Sequence, residues 1–114
     1  MESNRSQCPS LLSFAEEIQG RFSFIEVTHA GQSFKMGRYP LHFHVTGNQT
    51  GRSYIRGCSI HRTFNRAVTI HGTDGLLVEH NVAYNNKGHA YFLEDGVEVS
   101  VYTLSLIVGI ANCI

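Results

Sequence analysis

The chain has no excess of either charge sign. Nine Lys and Arg balance nine Asp and Glu over 114 residues. That excludes the basic field by which proteins hold nucleic acid or anionic membrane without specificity. It is also short of cysteine. Cys8, Cys58 and Cys113 lie far apart, with no Cys-x-x-Cys among them. An odd, dispersed set cannot build a self-contained disulfide framework or a four-thiolate zinc site. A secretory leader is missing from the opening "MESNRSQCPSLLSF", where Leu11-Leu12 is the longest apolar run before an acidic stretch. Read alone, that opening predicts a cytosolic protein. Long apolar runs are absent too. The uncharged segment 99–114, "VSVYTLSLIVGIANCI", is sixteen residues long. A membrane span takes roughly 20 apolar residues, and this segment is diluted by Ser, Thr and Asn.

What the chain does have is histidine, seven in all, and a change of texture along its length. At this size it is one domain. Residues 1–21 are mixed and polar. Within them "SLLSFAEEIQGR" predicts a short helix, with Ser10 or Ser13 as cap and Glu16-Glu17 in its first turn. Residues 22–98 are short β-rich runs broken by Gly, Asn and Asp. Residues 99–114 form the apolar tail.

The middle segment repeats. "YIRGCSIHRTFNRAVTIHGTDG" (54–75) aligns without a gap above "LLVEHNVAYNNKGHAYFLEDGV" (76–97). Ile55 then falls on Leu77, Ile60 on Val82, Val68 on Ala90 and Ile70 on Phe92. Upstream, "FIEVTHAGQ" and "YPLHFHVTG" match the two halves of such a unit. A period in the low twenties fits a leucine-rich repeat or a parallel β-helix. The leucine-rich pattern is absent and β-branched and aromatic residues dominate, so the expected fold is an all-β parallel β-helix fragment of about three coils.

Strand alternation then sorts the side chains. Leu41, Phe43, Val68, Ile70, Ala90 and Phe92 share one phase, all apolar, and are expected inside. His42, His44, Thr69, His71, Tyr91 and Leu93 share the other and are expected outside. The outer set predicts one exposed patch of His42, His44, His71 and Tyr91, with Asp74, Glu94 and Asp95 at the turn beyond. Three readings compete for it. His42, His44 and His71 would suit a divalent metal such as zinc with one position open. His, Tyr and carboxylates along an extended face would suit a linear polysaccharide, with Tyr91 and Asp74 among the contacts. Cleavage would then use Glu94 and Asp95 as acid and base beside His71. The plainest reading is a solvated ladder without ligand.

Other residues have simpler expectations. His29, His61 and His80 read as turn or surface groups, and Cys58 as a small buried hydrophobe. Arg56, Arg62 and Arg66 are either contacts for an acidic sugar or partners of Glu79 and Asp74. Asn65, Asn85 and Asn86 suit tight turns. Asn4-Arg5-Ser6 and Asn48-Gln49-Thr50 are glycosylation sequons, and Asn48 lies in a Gly-rich loop suited to a glycan.

Four blocks, "GRYPLHFH", "YIRGCSIH", "AVTIHGTDGLLV" and "GHAYFLEDG", carry a resemblance. They resemble the β-helix region of the family that holds fibrocystin-L-like proteins and the cell-surface, hyaluronan-binding hyaluronidases. "NRAVTIHGT", "LLVEHNVAYN" and "GHAYFLEDG" lean toward the fibrocystin-L side. The similarity covers roughly residues 24–98 and implies right-handed winding, a place in a large extracellular or membrane-anchored parent, and that this chain is a small piece of it. The hyaluronidase branch implies hyaluronan as ligand or substrate. The fibrocystin branch implies a structural, ligand-presenting receptor module that meets glycan or protein, without an established enzyme activity. No partner nucleic acid is implied.

After "EDGVE" the family pattern continues into another coil, whereas this chain turns to the apolar tail. Glu98-Val99-Ser100 can be encoded as a splice-donor consensus. The hypothesis that follows is intron read-through from Val99; genomic sequence with an ordinary coding exon running through residue 114 would refute it. The tail's β-propensity also predicts an added strand at that end of the stack. Segment 1–21 is expected to be a cap at the other end, or a gene-model artefact.

Overall fold

A computed structural model describes residues 12–14, 19–98, 101–103 and 106–108, with side chains described for 19–98. The described residues are all β. The strands are β1 (Leu12–Phe14), β2 (Arg21–Ser23), β3 (Glu26–Thr28), β4 (Leu41–Asn48), β5 (Tyr54–Arg56) and β6 (Ser59–His61). They continue as β7 (Val68–Asp74), β8 (Leu77–Glu79), β9 (Val82–Tyr84), β10 (Tyr91–Leu93), β11 (Val101–Thr103) and β12 (Leu106–Val108). From β2 onward the chain visits three parallel sheets in a fixed rotation. The sheets are ordered β1-β4-β7-β10, β11-β8-β5-β2 and β12-β9-β6-β3. Each strand therefore pairs with its counterpart one circuit away, as a coil requires. Among the described residues no helix is long and apolar enough to cross a membrane.

Left-handed corner residues make this circuit possible. Phe24, Gly57 and His80 follow β2, β5 and β8, and all have φ between 54° and 63°. His29, Arg62 and Asn85 follow β3, β6 and β9 with φ between 51° and 55°. A single left-handed residue turns the chain sharply, so the strands it separates stay short. His29, His80 and Asn85 thus lie at turns, as expected. The corners stack. A Cβ on Gly57 would come within 2.6 Å of the Phe24 ring beneath it.

The core is the inner face of all three sheets: Leu41, Phe43, Val68 and Ile70 from one, Ile55 and Val78 from the second, Val27, Ile60 and Ala83 from the third. Cys58, 2% exposed, is the expected small buried hydrophobe. Buried amides and hydroxyls close the corners. Asn81 Nδ2 donates to Ile55 O, and its Oδ1 accepts from Cys58 N, both at 2.9 Å. Thr63 Oγ1 donates to Asn86 Oδ1 at 2.8 Å. These bonds satisfy backbone and side-chain groups that water cannot reach.

Three expectations are corrected. The first is the alignment of 54–75 over 76–97, which is short by one position. Ile55 pairs with Val78 rather than Leu77, and Ile60 with Ala83 rather than Val82. Val68 pairs with Tyr91 and Ile70 with Leu93. A one-residue slip in a strand exchanges its faces. Tyr91 and Leu93 therefore pack against the core, and Phe92 joins Thr69 and His42 on the outer phase. The run Leu76-Leu77-Val78 hid the offset, because adjacent apolar residues do not say which one points inward. The predicted helix is also replaced, over Leu12–Phe14, by a strand beside β4; residues 15–18 lie outside the described residues. Finally, His61 is not at the surface. It is 4% exposed, bonded to Glu26 and stacked on Tyr84 at 4.5 Å.

At the other end β11 pairs with β8 and β12 with β9, so the tail does extend two sheets. The origin of that tail remains the stated hypothesis. Asn4, Cys8 and Cys113 lie outside the described residues.

Gly75 tests this packing. Its φ is +71°, and a Cβ there would lie 2.0 Å from Thr50 Oγ1 and 2.8 Å from Thr50 N. The hydroxyl can swing away but the backbone cannot. Gly75→Ala should lose about 2–4 kcal/mol, combining backbone strain with overpacking. Gly96 has φ +75° and open space, so Gly96→Ala should lose only about 1 kcal/mol. Urea midpoints of the two variants check this; equal losses would mean that the Thr50 contact is not rigid.

Candidate functional site

The outer face of the β4–β7–β10 sheet carries the histidines. His44 and His71 are register partners in β4 and β7. Their rings meet edge to face at 4.8 Å, and His42 meets His44 at 5.2 Å. Beyond β10 the ladder continues, because Glu94 N donates to Ile70 O at 2.8 Å. That brings Glu94 alongside His71. The His71 ring sits between two carboxylates, with Nε2 3.2 Å from Asp95 Oδ2 and Nδ1 4.0 Å from Glu94 Oε2. Met36, Gly37, His42, His44, His71 and Glu94 line an open cavity of about 260 Å³.

The backbone is irregular at this row. Register shifts between His44 and Gly47. Val45, a β-branched residue, has φ 52°, and faces Gly72 with φ 56°. Such a conformation costs a branched side chain of order 1–3 kcal/mol and persists only where the surroundings enforce it. Below the bulge a buried Thr46–Thr73 hydroxyl pair at 2.7 Å clamps the strands together. The bulge ends regular pairing one residue after His44 and His71, so it sets where those two rings project.

His42 departs from the expected exposed patch. It lies on the outer phase but is only 5% exposed. The loop before β4 covers it: Tyr39 packs edge-on at 5.0 Å and Gly37 supplies a backbone hydrogen bond. Burial, reinforced by neighbouring His44 and His71, pushes its pKa down to about 4 despite the Gly37 bond. His42 is therefore neutral at pH 7. Its Nε2 is buried with no hydrogen-bond partner.

The remaining predicted residues divide. His44, His71, Glu94 and Asp95 come together. Tyr91 faces the core side and Asp74 lies at the end of β7 paired with Asn48, so neither lines the cavity. Asn48 is exposed, its Oδ1 accepting from Thr50 N and Oγ1. Among the described residues no three His, Cys, Asp or Glu side chains are arranged to hold a metal ion. Arg56 stacks on Tyr54 at 4.3 Å, and Arg62 donates to His61 Nδ1. Arg66 packs on Tyr39 and Phe92.

Sequence reasoning passed over Met36, Gly37, Tyr39 and Glu98. Glu98 Oε1 accepts from Gly72 N and Asp95 N, and Oε2 from Val97 N. Desolvation opposes its ionisation, but backbone donors, Asp95 and Gly72 among them, outweigh it and hold its pKa below the usual carboxylate value. Glu98 thereby ties the Glu94–Asp95 turn to the bulge at Gly72. An acid three residues after an Asp was the available signal.

The CEMIP β-helix family model matches residues 11–110. The chain belongs to that family. It is 50% identical over 97 residues to mouse fibrocystin-L, covering 82% of this chain and 2% of that protein. It is 43% identical over 82 residues to human cell surface hyaluronidase CEMIP2, covering 67% of this chain and 6% of that protein. Human cell migration-inducing and hyaluronan-binding protein is 48% identical over 79 residues, covering 64% of this chain and 6% of that protein. The family member described here thus spans a few per cent of the length of these relatives. No solved structure matches it.

Proposed function

We propose that this chain is a ligand-presenting β-helix module of an extracellular, receptor-like protein, meeting a glycan through the outer face of the β4–β7–β10 sheet. The supporting observation is the row His44–His71–Glu94, which runs across adjacent strands and opens onto the cavity at Met36 and Gly37. Parallel strands stack about 4.8 Å apart, so the row presents polar groups along a line, as an extended polysaccharide does. Hyaluronan is the candidate glycan because two relatives are named as hyaluronidase or hyaluronan-binding protein. Right-handed winding, a membrane-anchored parent and glycosylation at Asn48 belong to the same proposal.

A second reading is hyaluronan cleavage. It is favoured by one observation, the His71 ring held between Glu94 and Asp95. In that reading one carboxyl protonates the leaving oxygen as the glycosidic bond breaks, while the other, beside His71, takes a proton from the water whose oxygen bonds to the anomeric carbon. A third assigns His42, His44 and His71 to a divalent metal; they would need to reorient to converge on one ion.

One experiment separates them. The folded chain is mixed with high-molecular-mass hyaluronan, and binding and polymer size are followed with and without chelator. Binding without size reduction is the expected result, weakened on His71→Ala. Size reduction lost on Asp95→Asn would establish cleavage instead, and its loss with chelator would bring in the metal. Absence of both binding and cleavage would refute the glycan reading.

A further inference from the structure

A second cavity, of about 170 Å³, lies beside the first and shares Met36 with it. It is walled by Lys35, Tyr39, Asn65, Arg66 and His89, with Phe34 at its rim. We propose that it binds a sulfate ester carried on a sugar ring. None of its groups belongs to the histidine row, so this site stands or falls separately from the glycan face above.

The charge is unanswered. Among the described residues no carboxylate lies within 4.0 Å of Lys35, Arg66 or His89. Two cations and an imidazole gathered around one concavity without a counter-ion make a site for an anion.

The donors are held in advance. The Arg66 guanidinium lies 3.8 Å from the Phe92 ring centroid and 5.1 Å from that of Tyr39. Its Nη1 donates to the Tyr39 hydroxyl at 3.2 Å. Tyr39 itself is 2% exposed and keeps its own O–H to give. The same Phe92 ring stacks with His89 at 5.1 Å and 11°. Phe92 thus positions two donors at once. Asn65 anchors the backbone that carries the third: its Nδ2 donates to Gln32 O at 2.9 Å and Lys35 O at 3.1 Å. Ser33 Oγ adds a bond to Phe64 O at 2.9 Å. The loop that carries Lys35 is therefore bound to the strand circuit that carries Arg66.

The arrangement selects the anion's shape. Lys35, Arg66 and His89 come from three separate segments. Separate donors on three segments, rather than one planar fork, suit the three terminal oxygens of a tetrahedral centre better than the two coplanar oxygens of a carboxylate. Phe34 is 85% and Met36 86% exposed. Both line the cavity on either side of Lys35 and offer an apolar surface for the ring that bears the ester.

The test is amide and arginine-side-chain NMR of the full chain at low salt, titrated with N-acetylgalactosamine 4-sulfate, glucuronic acid and inorganic sulfate. The expected result is saturable shifts at Gly88, His89 and Arg66 Nε with the sulfated sugar. Binding should weaken about tenfold in Arg66→Lys and in Lys35→Gln, and stay unchanged in Arg52→Gln, which removes a cation that lines neither cavity. Lys35 is exposed, so its variant keeps the fold. Equal binding of glucuronic acid would overturn the selectivity. Equal binding of inorganic sulfate would overturn the role of the ring. Lys35→Gln binding as tightly as the parent, or no shifts at these positions, would overturn the site.

Discussion

Phe43→Ala should remove about 3–5 kcal/mol of stability, the largest loss of any substitution considered. Phe43 is 0% exposed and lies in the first half of β4, with Ile70 of β7 as its register partner. Removing the ring deletes apolar contact and leaves a cavity that flanking strands cannot collapse into, because their spacing is set by backbone bonds on both sides. A domain of this size holds only about 5–15 kcal/mol in total, so this one loss is a large share of it. His44 is the adjacent residue of the same strand, but exposed. His44→Ala should cost under about 1 kcal/mol. Urea unfolding of the pair is the check. A small loss at Phe43 with a large one at His44 would mean that β4 presents its other face to the core.

Acid should weaken the chain through His42, by roughly 3 kcal/mol between pH 6.5 and 4. The folded-state pKa is depressed to about 4, against about 6.5 in the unfolded chain. Between those values the unfolded chain binds a proton that the folded chain refuses, so stability falls as pH falls. Above pH 6.5 the penalty is absent. His42→Gln carries no charge at any pH and should flatten this part of the profile. Glu98 acts lower on the scale. Its depressed pKa adds stability that is lost only as pH drops below the usual carboxylate range, so Glu98→Gln separates the two. The measurement is urea midpoint against pH in the presence of chelator. A parent and a His42→Gln variant with parallel profiles would show that His42 is solvated rather than buried.

The second prediction concerns residues the sequence treats alike. His42 and His44 are two apart, on one phase and in one motif. The loop over residues 36–39 reaches one and leaves the other open. Nothing local to "LHFH" records that cover, because it depends on where a loop from outside the strand comes to rest. The same applies to Phe92. Arg66, one coil earlier, approaches it only once coils stack.

The sequence by itself determined the all-β class, the parallel repeat, the family, and the inward phase of Leu41, Phe43, Val68 and Ile70. These follow from alternation within a strand, which is local. Bringing His44, His71, Glu94 and Asp95 together was legible for the same reason, since a repeating unit stacks equivalent strands whatever its precise length. Only the tertiary structure decided the register, the burial of His42 and His61, and the inward turn of Tyr91. The offset between coils depends on which residue at each corner takes a left-handed φ. Gly57 and His80 share that role while sharing no side-chain chemistry, so the corner is a property of the stack rather than of either residue.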